Sequence, residues 1–178
     1  MFALLCFITA SNTGVGSHDM SEDFAIYRAT SDAAPAIAPM VGELLAEIMS
    51  SIGVQSFNFD LAETTLRLQD FLNREQYFVF AAQDVSGNPV GFISLYESYA
   101  LYAEGAFGTI PEFYVRPQYR VNGVGLRLMS QAKSFGASRG WTRLEVTTPP
   151  LPQFDRTLAF YEREGFTVTG GRKLKVSL

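Results

Sequence analysis

Cysteine and histidine are almost missing from this 178-residue chain: Cys6 and His18 are the single copies, and both precede Met20. A lone cysteine excludes an intrachain disulfide. The two scarcities together exclude a Cys/His metal site and a Ser-His-Asp triad from the rest of the chain, because the side chains they require are not there. No metal is expected. No Lys or Arg occurs before Arg28, so the apolar opening from Met1 to Ala10 lacks the positive region of a secretory signal, and it is too short to span a membrane. Residues 1–20 are expected to be a leader or a misplaced start ahead of Met20, with a weak export signal as the alternative. The scarcity of cysteine suits the cytoplasm. Repeats and low-complexity tracts are also missing, and no basic aromatic groove points to nucleic acid. With 47% hydrophobic and 18% charged residues, positions 21–178 are expected to form one domain with one core. Its chemistry must use carboxylates, tyrosines, hydroxyls and backbone groups.

What is present is organised around Ile110 to Phe135, an apolar strand, a glycine turn and an amphipathic helix. Phe113, Tyr114 and Val115 are β-prone, Pro117 stops the run, and Val124, Leu128, Met129, Ala132 and Phe135 recur on one helical face. Gly123 and Gly125 lie at the entry to that helix. A helix start has unpaired N–H groups and a partial positive charge, so glycines there admit an anion close to the backbone, and phosphate is the expected guest. A Rossmann turn needs a third small residue where Leu128 stands. A P-loop needs Lys-Ser/Thr where Leu126 and Arg127 stand.

The remaining chain reads in order. A strand is expected over Phe24 to Ala29, a helix from Ser31 to Gly53 with Asp32 able to cap, and a second helix from Asp60 to Asn73. A hairpin over Tyr77–Ala82 and Val90–Leu95 turns at Ser86-Gly87-Asn88-Pro89. Tyr96, Glu97, Tyr99, Tyr102 and Glu104 lie in the segment that approaches the strand holding Glu112, loosened by Gly105 and Gly108. Beyond the organising helix, Arg143 to Thr147 alternates as a strand and should pair in parallel with the strand preceding that helix. A helix over Phe154–Phe166 and a hairpin of Phe166–Thr169 with Lys173–Val176 close the chain.

Two segments carry a family resemblance. Arg120-Val121-Asn122-Gly123-Val124-Gly125 resembles the Q/R-x-x-G-x-G/A signature of the GNAT superfamily of acyl-CoA-dependent N-acetyltransferases, and Phe160-Tyr161-Glu162-Arg163-Glu164-Gly165-Phe166 resembles its second hallmark about forty residues later. The element order agrees over residues 24–178. The resemblance implies an α/β (α+β) fold with a mixed central sheet of about six to seven strands flanked by about four helices. It also implies acetyl-CoA as cofactor, with the pyrophosphate on Arg120, Val121, Asn122, Gly123, Val124, Gly125 and Leu126. The Arg120 side chain would add a charge-assisted contact, and the backbone of Phe113, Tyr114 and Val115 would pair with pantetheine. Many members carry an asparagine where this chain has Phe154, so one hydrogen bond to pantetheine is missing or replaced.

Charge supports the same division without the resemblance. Residues 1–110 hold three Arg against thirteen Asp and Glu, a balance of −10, whereas 111–178 hold eleven Lys and Arg against five acids, a balance of +6. A basic half suits a polyanionic nucleotide and an acidic half a cationic amine. An amine must lose a proton before it attacks, so Glu112 is the first candidate base, with substrate steering as its other reading and Glu97 and Glu104 in reserve. Tyr161 matches the family's usual general acid, and packing is its other reading. Tyr96, Glu97, Tyr99 and Glu104 are candidates to line the acceptor pocket. Two functions stay open: N-acetylation of a small-molecule or peptide primary amine, and non-catalytic acyl-CoA binding. A homodimer is also left open.

Overall fold

A computed structural model describes residues 24–103, 105–169 and 173–176. The leader expected over 1–20 and the candidate Glu104 lie outside the described residues. Six strands and four helices follow in order: β1 (Phe24–Arg28), α1 (Ala34–Ile52), α2 (Leu61–Asn73), β2 (Tyr77–Asp84), β3 (Pro89–Ala100), β4 (Gly105–Ile110), β5 (Phe113–Val115), α3 (Val124–Ser138), β6 (Leu144–Val146) and α4 (Asp155–Arg163). The sheet runs β1-β2-β3-β4-β6, antiparallel except for the parallel β4–β6 pair, and β5 also pairs with β3.

Alternation along the strands sends two apolar sets to opposite faces. Phe78, Phe80, Ile93, Leu95, Phe113 and Val115 pack under α3 and α4, with Val124, Leu128, Met129, Phe160 and Tyr161. Val79, Ala81, Phe92 and Tyr114 pack under α1 and α2, with Ile37, Met40, Leu44, Ile48 and Leu68. The segment Ser31–Ile52 is long and apolar enough, by length and composition, to cross a membrane. Here it places its apolar stripe on the sheet and pairs Glu43 and Glu47 with arginines.

Several boundaries differ from the expectations. Ser31–Ala33 forms a separate 3₁₀ turn, α1 begins at Ala34, and Asp32 makes no cap. Asp60 does cap α2, accepting the Glu63 N–H at 2.7 Å. The tyrosine-rich segment is the distal half of a twelve-residue β3, and Gly105 and Gly108 lie inside β4. The Gly108 position has a packing cause: a Cβ there would lie 2.4 Å from the Trp141 ring. The four-residue runs after Gly165 do not join the sheet; Val168, Leu174 and Val176 are exposed, so alternation too short to bury an apolar face formed no ladder.

The parallel partner of β6 is β4, not β5. The cause is a bulge. Tyr96 pairs with Thr109 and Ile93 with Phe113, so two residues of β3 face three on the other side, Ile110, Pro111 and Glu112. Beyond that kink β5 stays with β3, while β6 follows β4 only to the Ile110–Val146 pair. The sheet therefore forks between β5 and β6.

Candidate active site

Glu112 sits in the bulge at the base of the fork, not within a strand. It is directly across from Ser94, whose N–H donates to the Glu112 carbonyl at 2.9 Å. Period-two alternation puts its side chain on the α1/α2 face with Tyr114, Ser94 and Tyr77. The Ser94 hydroxyl donates to Glu112 Oε2 at 2.5 Å, and the Tyr77 hydroxyl donates to the same oxygen. Oε1 has no hydrogen-bond partner among the described residues. Burial pushes the Glu112 carboxyl above the ordinary range, opposed by the bonds from Ser94 and Tyr77. Burial, then the neighbouring carboxylate, pushes the Tyr77 phenol well up, so it remains a donor.

The glycine turn expected ahead of α3 forms. Val115 passes into a 3₁₀ turn over Pro117–Tyr119, and Gly123 caps α3 with φ 77°, a left-handed conformation that favours glycine. Among the described residues no group accepts from the N–H groups of Gly123, Val124, Gly125 or Leu126. Asn122 is different, since its N–H already donates to the Tyr119 carbonyl at 3.2 Å. Val121 is exposed beside it.

Arg120 is not presented to a phosphate. Its side chain is 3% exposed and turns inward, donating to Val115 O at 2.7 Å and to both Glu47 oxygens at 2.9 and 2.6 Å, over the Tyr114 ring. Four residues earlier, Arg116 grips both oxygens of Glu43 at 3.0 and 2.7 Å. Two rungs thus join α1 to the turn. In the β5 edge, the bonds Ser94 N–H to Glu112 O and Arg116 N–H to Val90 O commit the even positions to β3. Phe113 and Val115 consequently point their backbone groups into the fork, and Tyr114 does not.

Tyr161 approaches from the other face. It is 1% exposed, its ring lies against Phe113, Phe160 and Phe166, and its hydroxyl is buried without a partner among the described residues. Burial pushes the phenol far up, which keeps its proton in place. Phe154, at the position of the family asparagine, is buried with Tyr114 and the α1 residues. Tyr96, Glu97 and Tyr99 meet with Arg139 around a hollow of about 380 Å³. Glu97 faces the α3 side, where its carboxylate accepts from Trp141 Nε1, Tyr99 and Arg139. Those bonds, Trp141 first, hold its carboxyl below the usual range, and Glu112 lies on the opposite face. A groove of about 850 Å³ touches Tyr161 and Val146 and none of the residues of the turn.

The profile of the acetyltransferase (GNAT) family matches residues 43–166, which contains the bulge, the turn and α4. The chain belongs to the GNAT acetyltransferase family. No curated protein sequence matches it. Among solved structures, an aminoglycoside acetyltransferase from an uncultured soil metagenomic sample, in complex with trehalose, superposes with a TM-score of 0.68 at 19% identity, covering 90% of this chain and 99% of that one. A ribosomal-protein-alanine N-acetyltransferase from Brucella melitensis biovar Abortus 2308 gives 0.65 at 19%, with 86% and 99% covered. A predicted acetyltransferase from Clostridium acetobutylicum, crystallised with acetyl-CoA, gives 0.69 at 14%, with 86% and 96% covered. At these identities the likeness is one of fold. The family match makes this GNAT protein an acyltransferase.

Sequence reading of this GNAT site missed four polar residues. Ser94 was visible as the one hydroxyl in the apolar run Val90–Leu95, and Tyr77 as the residue opening the strand beside it. Glu43 and Glu47 are spaced by four on α1, as Arg116 and Arg120 are in the turn, but nothing local joins them.

Proposed function

We propose that this acetyltransferase moves an acetyl group from acetyl-CoA to a primary amine of a small molecule or peptide, with the amine attacking directly. The observation that carries the reading is Oε1 of Glu112, without a hydrogen-bond partner among the described residues, beside the outward-facing backbone of Phe113. A base is thereby held at the edge where a thioester would lie.

The residues suit the cofactor. The unpaired N–H groups from Gly123 to Leu126 would receive the pyrophosphate, helped by the α3 dipole. The Phe113 backbone and the Val115 N–H would hydrogen-bond the pantetheine amides as a neighbouring strand would, the Val115 carbonyl being held by Arg120. The buried, partnerless Tyr161 hydroxyl is the kind of group that a ligand atom satisfies. Bound acetyl-CoA supplies the activated acetyl thioester. An ammonium with a pKa near about 10 must shed a proton to attack, and Glu112 Oε1 takes it. Tyr161 donates a proton to the departing sulfur; once the products leave, Tyr161 regains a proton from solvent and Glu112 gives up the one it took, so the protons balance. Arg120 acts only indirectly, holding the Val115 carbonyl and Glu47.

Thiol release from acetyl-CoA, measured against polyamines, amino acids, aminoglycosides and peptides, tests this. The named relatives put aminoglycosides and alanine-terminated peptides first in the panel. Release with one amine class is expected. A melting temperature raised by acetyl-CoA with no release for any amine would instead favour non-catalytic acyl-CoA binding.

A further inference from the structure

We propose that Tyr77 and Ser94 are positioning residues that saturate Oε2 of Glu112 and so make Oε1 the atom that takes the acceptor's proton. The inference rests on the reading of Glu112 as the base.

The two oxygens of a free carboxylate are equivalent. Here they are not, because two hydroxyls converge on one of them. The Ser94 Oγ is fully committed: it donates to Oε2 at 2.5 Å and accepts the Glu112 N–H at 3.0 Å, closing a ring that pins χ angles as well as charge. Ser94 is 0% exposed between Phe92 and Leu95, where a hydroxyl without partners would be costly. Tyr77 is clamped in turn, with Phe71 at 5.6 Å on one side and Tyr96 at 6.5 Å and 10° on the other. Two strand positions, each facing the α1/α2 side, converge on one atom of the bulge residue.

The polar groups bonded to Glu112 among the described residues are Tyr77 from β2 and Ser94 from β3; Tyr96 faces Tyr77, and no described Lys or Arg forms an ion pair with the carboxylate. Burial raises the carboxyl, and the bonds from Ser94 and Tyr77 pull it down. Two donors on Oε2 stabilise negative charge there and leave Oε1 as the more basic, correctly aimed oxygen. Charge-assisted bonds of this kind are each worth enough to move a titration by about one pH unit.

The test is a pH titration of glutamate-¹³C-labelled full-length protein, with the Glu112 carboxyl signal identified by its loss in Glu112→Gln. Tyr77→Phe and Ser94→Ala should each move its midpoint upward by about one pH unit. With acetyl-CoA and whichever of spermidine, tobramycin or an alanyl peptide gives the fastest thiol release, the acidic limb of kcat/KM should move with it. Unmoved midpoints in variants that melt cooperatively overturn the clamp. If Ser94→Ala does not fold, Tyr77→Phe decides alone, since it keeps the ring. Full activity and an unchanged acidic limb in Glu112→Gln would overturn the base assignment itself, which is a different result from an unmoved titration.

Discussion

Glu112 and Tyr161 are both buried polar groups, and each makes a stability statement that packing alone would not. Because burial raises the Glu112 pKa in the folded state, the favourable term is present below the unfolded-state value and is lost as pH rises through the folded one. Glu112→Gln keeps an acceptor for Tyr77 and Ser94 but cannot ionise, so it should melt above the parent at neutral pH. The gap should close as pH falls into the ordinary carboxylate range, and turnover should drop by at least about a hundredfold. Equal melting curves across that window would show that the carboxylate carries no strain. Tyr161→Phe deletes a hydroxyl without a described partner, so its melting temperature should hold or rise, while single-turnover acetyl transfer falls by roughly tenfold or more. An unchanged single-turnover rate would leave Tyr161 as a packing residue. The residue identities at this scale were legible in sequence because each lies inside a local pattern. The surroundings of Glu112 were not, since Tyr77 and Ser94 meet it only through the register of three strands.

At the scale of elements, the turn into α3 and the β4–β6 pair make separate demands on glycine. Gly123 has φ 77° and open space around its missing side chain, so Gly123→Ala should fold with a cost of about 1 kcal/mol. Gly123→Glu should also fold but lose the rise in melting temperature that millimolar acetyl-CoA produces, because a carboxylate would stand where phosphate is to bind. A rise of parental size in that variant would place the pyrophosphate elsewhere. Gly108 is confined instead by contact: Gly108→Ala brings a methyl against Trp141 and Leu144 and should lower the melting temperature by about 5 °C. Emission from the single tryptophan reads that disturbance directly. The turn was legible because its backbone conformation is demanded locally. The fork was not: a bulge is one extra residue in a pairing, and Ile110-Pro111-Glu112 carries no sign of which strand it will face.

For the whole molecule, the two rungs from α1 to the turn decide how the acidic and basic halves combine. Arg120 stands in a segment whose pattern predicts a phosphate ligand, whereas its partner Glu47 lies 73 positions away. Distance along the chain hid the pair. Arg120→Gln should leave Glu47 without its partner and cost about 3 kcal/mol, and Glu47→Gln added to it should recover part of that loss. Raised salt should weaken the half-exposed Arg116–Glu43 rung more than the buried one. The same separation has a consequence for synthesis. Glu43 and Glu47 leave the ribosome long before either arginine exists, and the apolar stripe of α1 has no Tyr114 to cover it until β5 emerges. The first half of the nascent chain therefore waits with an uncovered face and unmatched acids, and closes only when β5 and the turn that carries Arg116 and Arg120 arrive together.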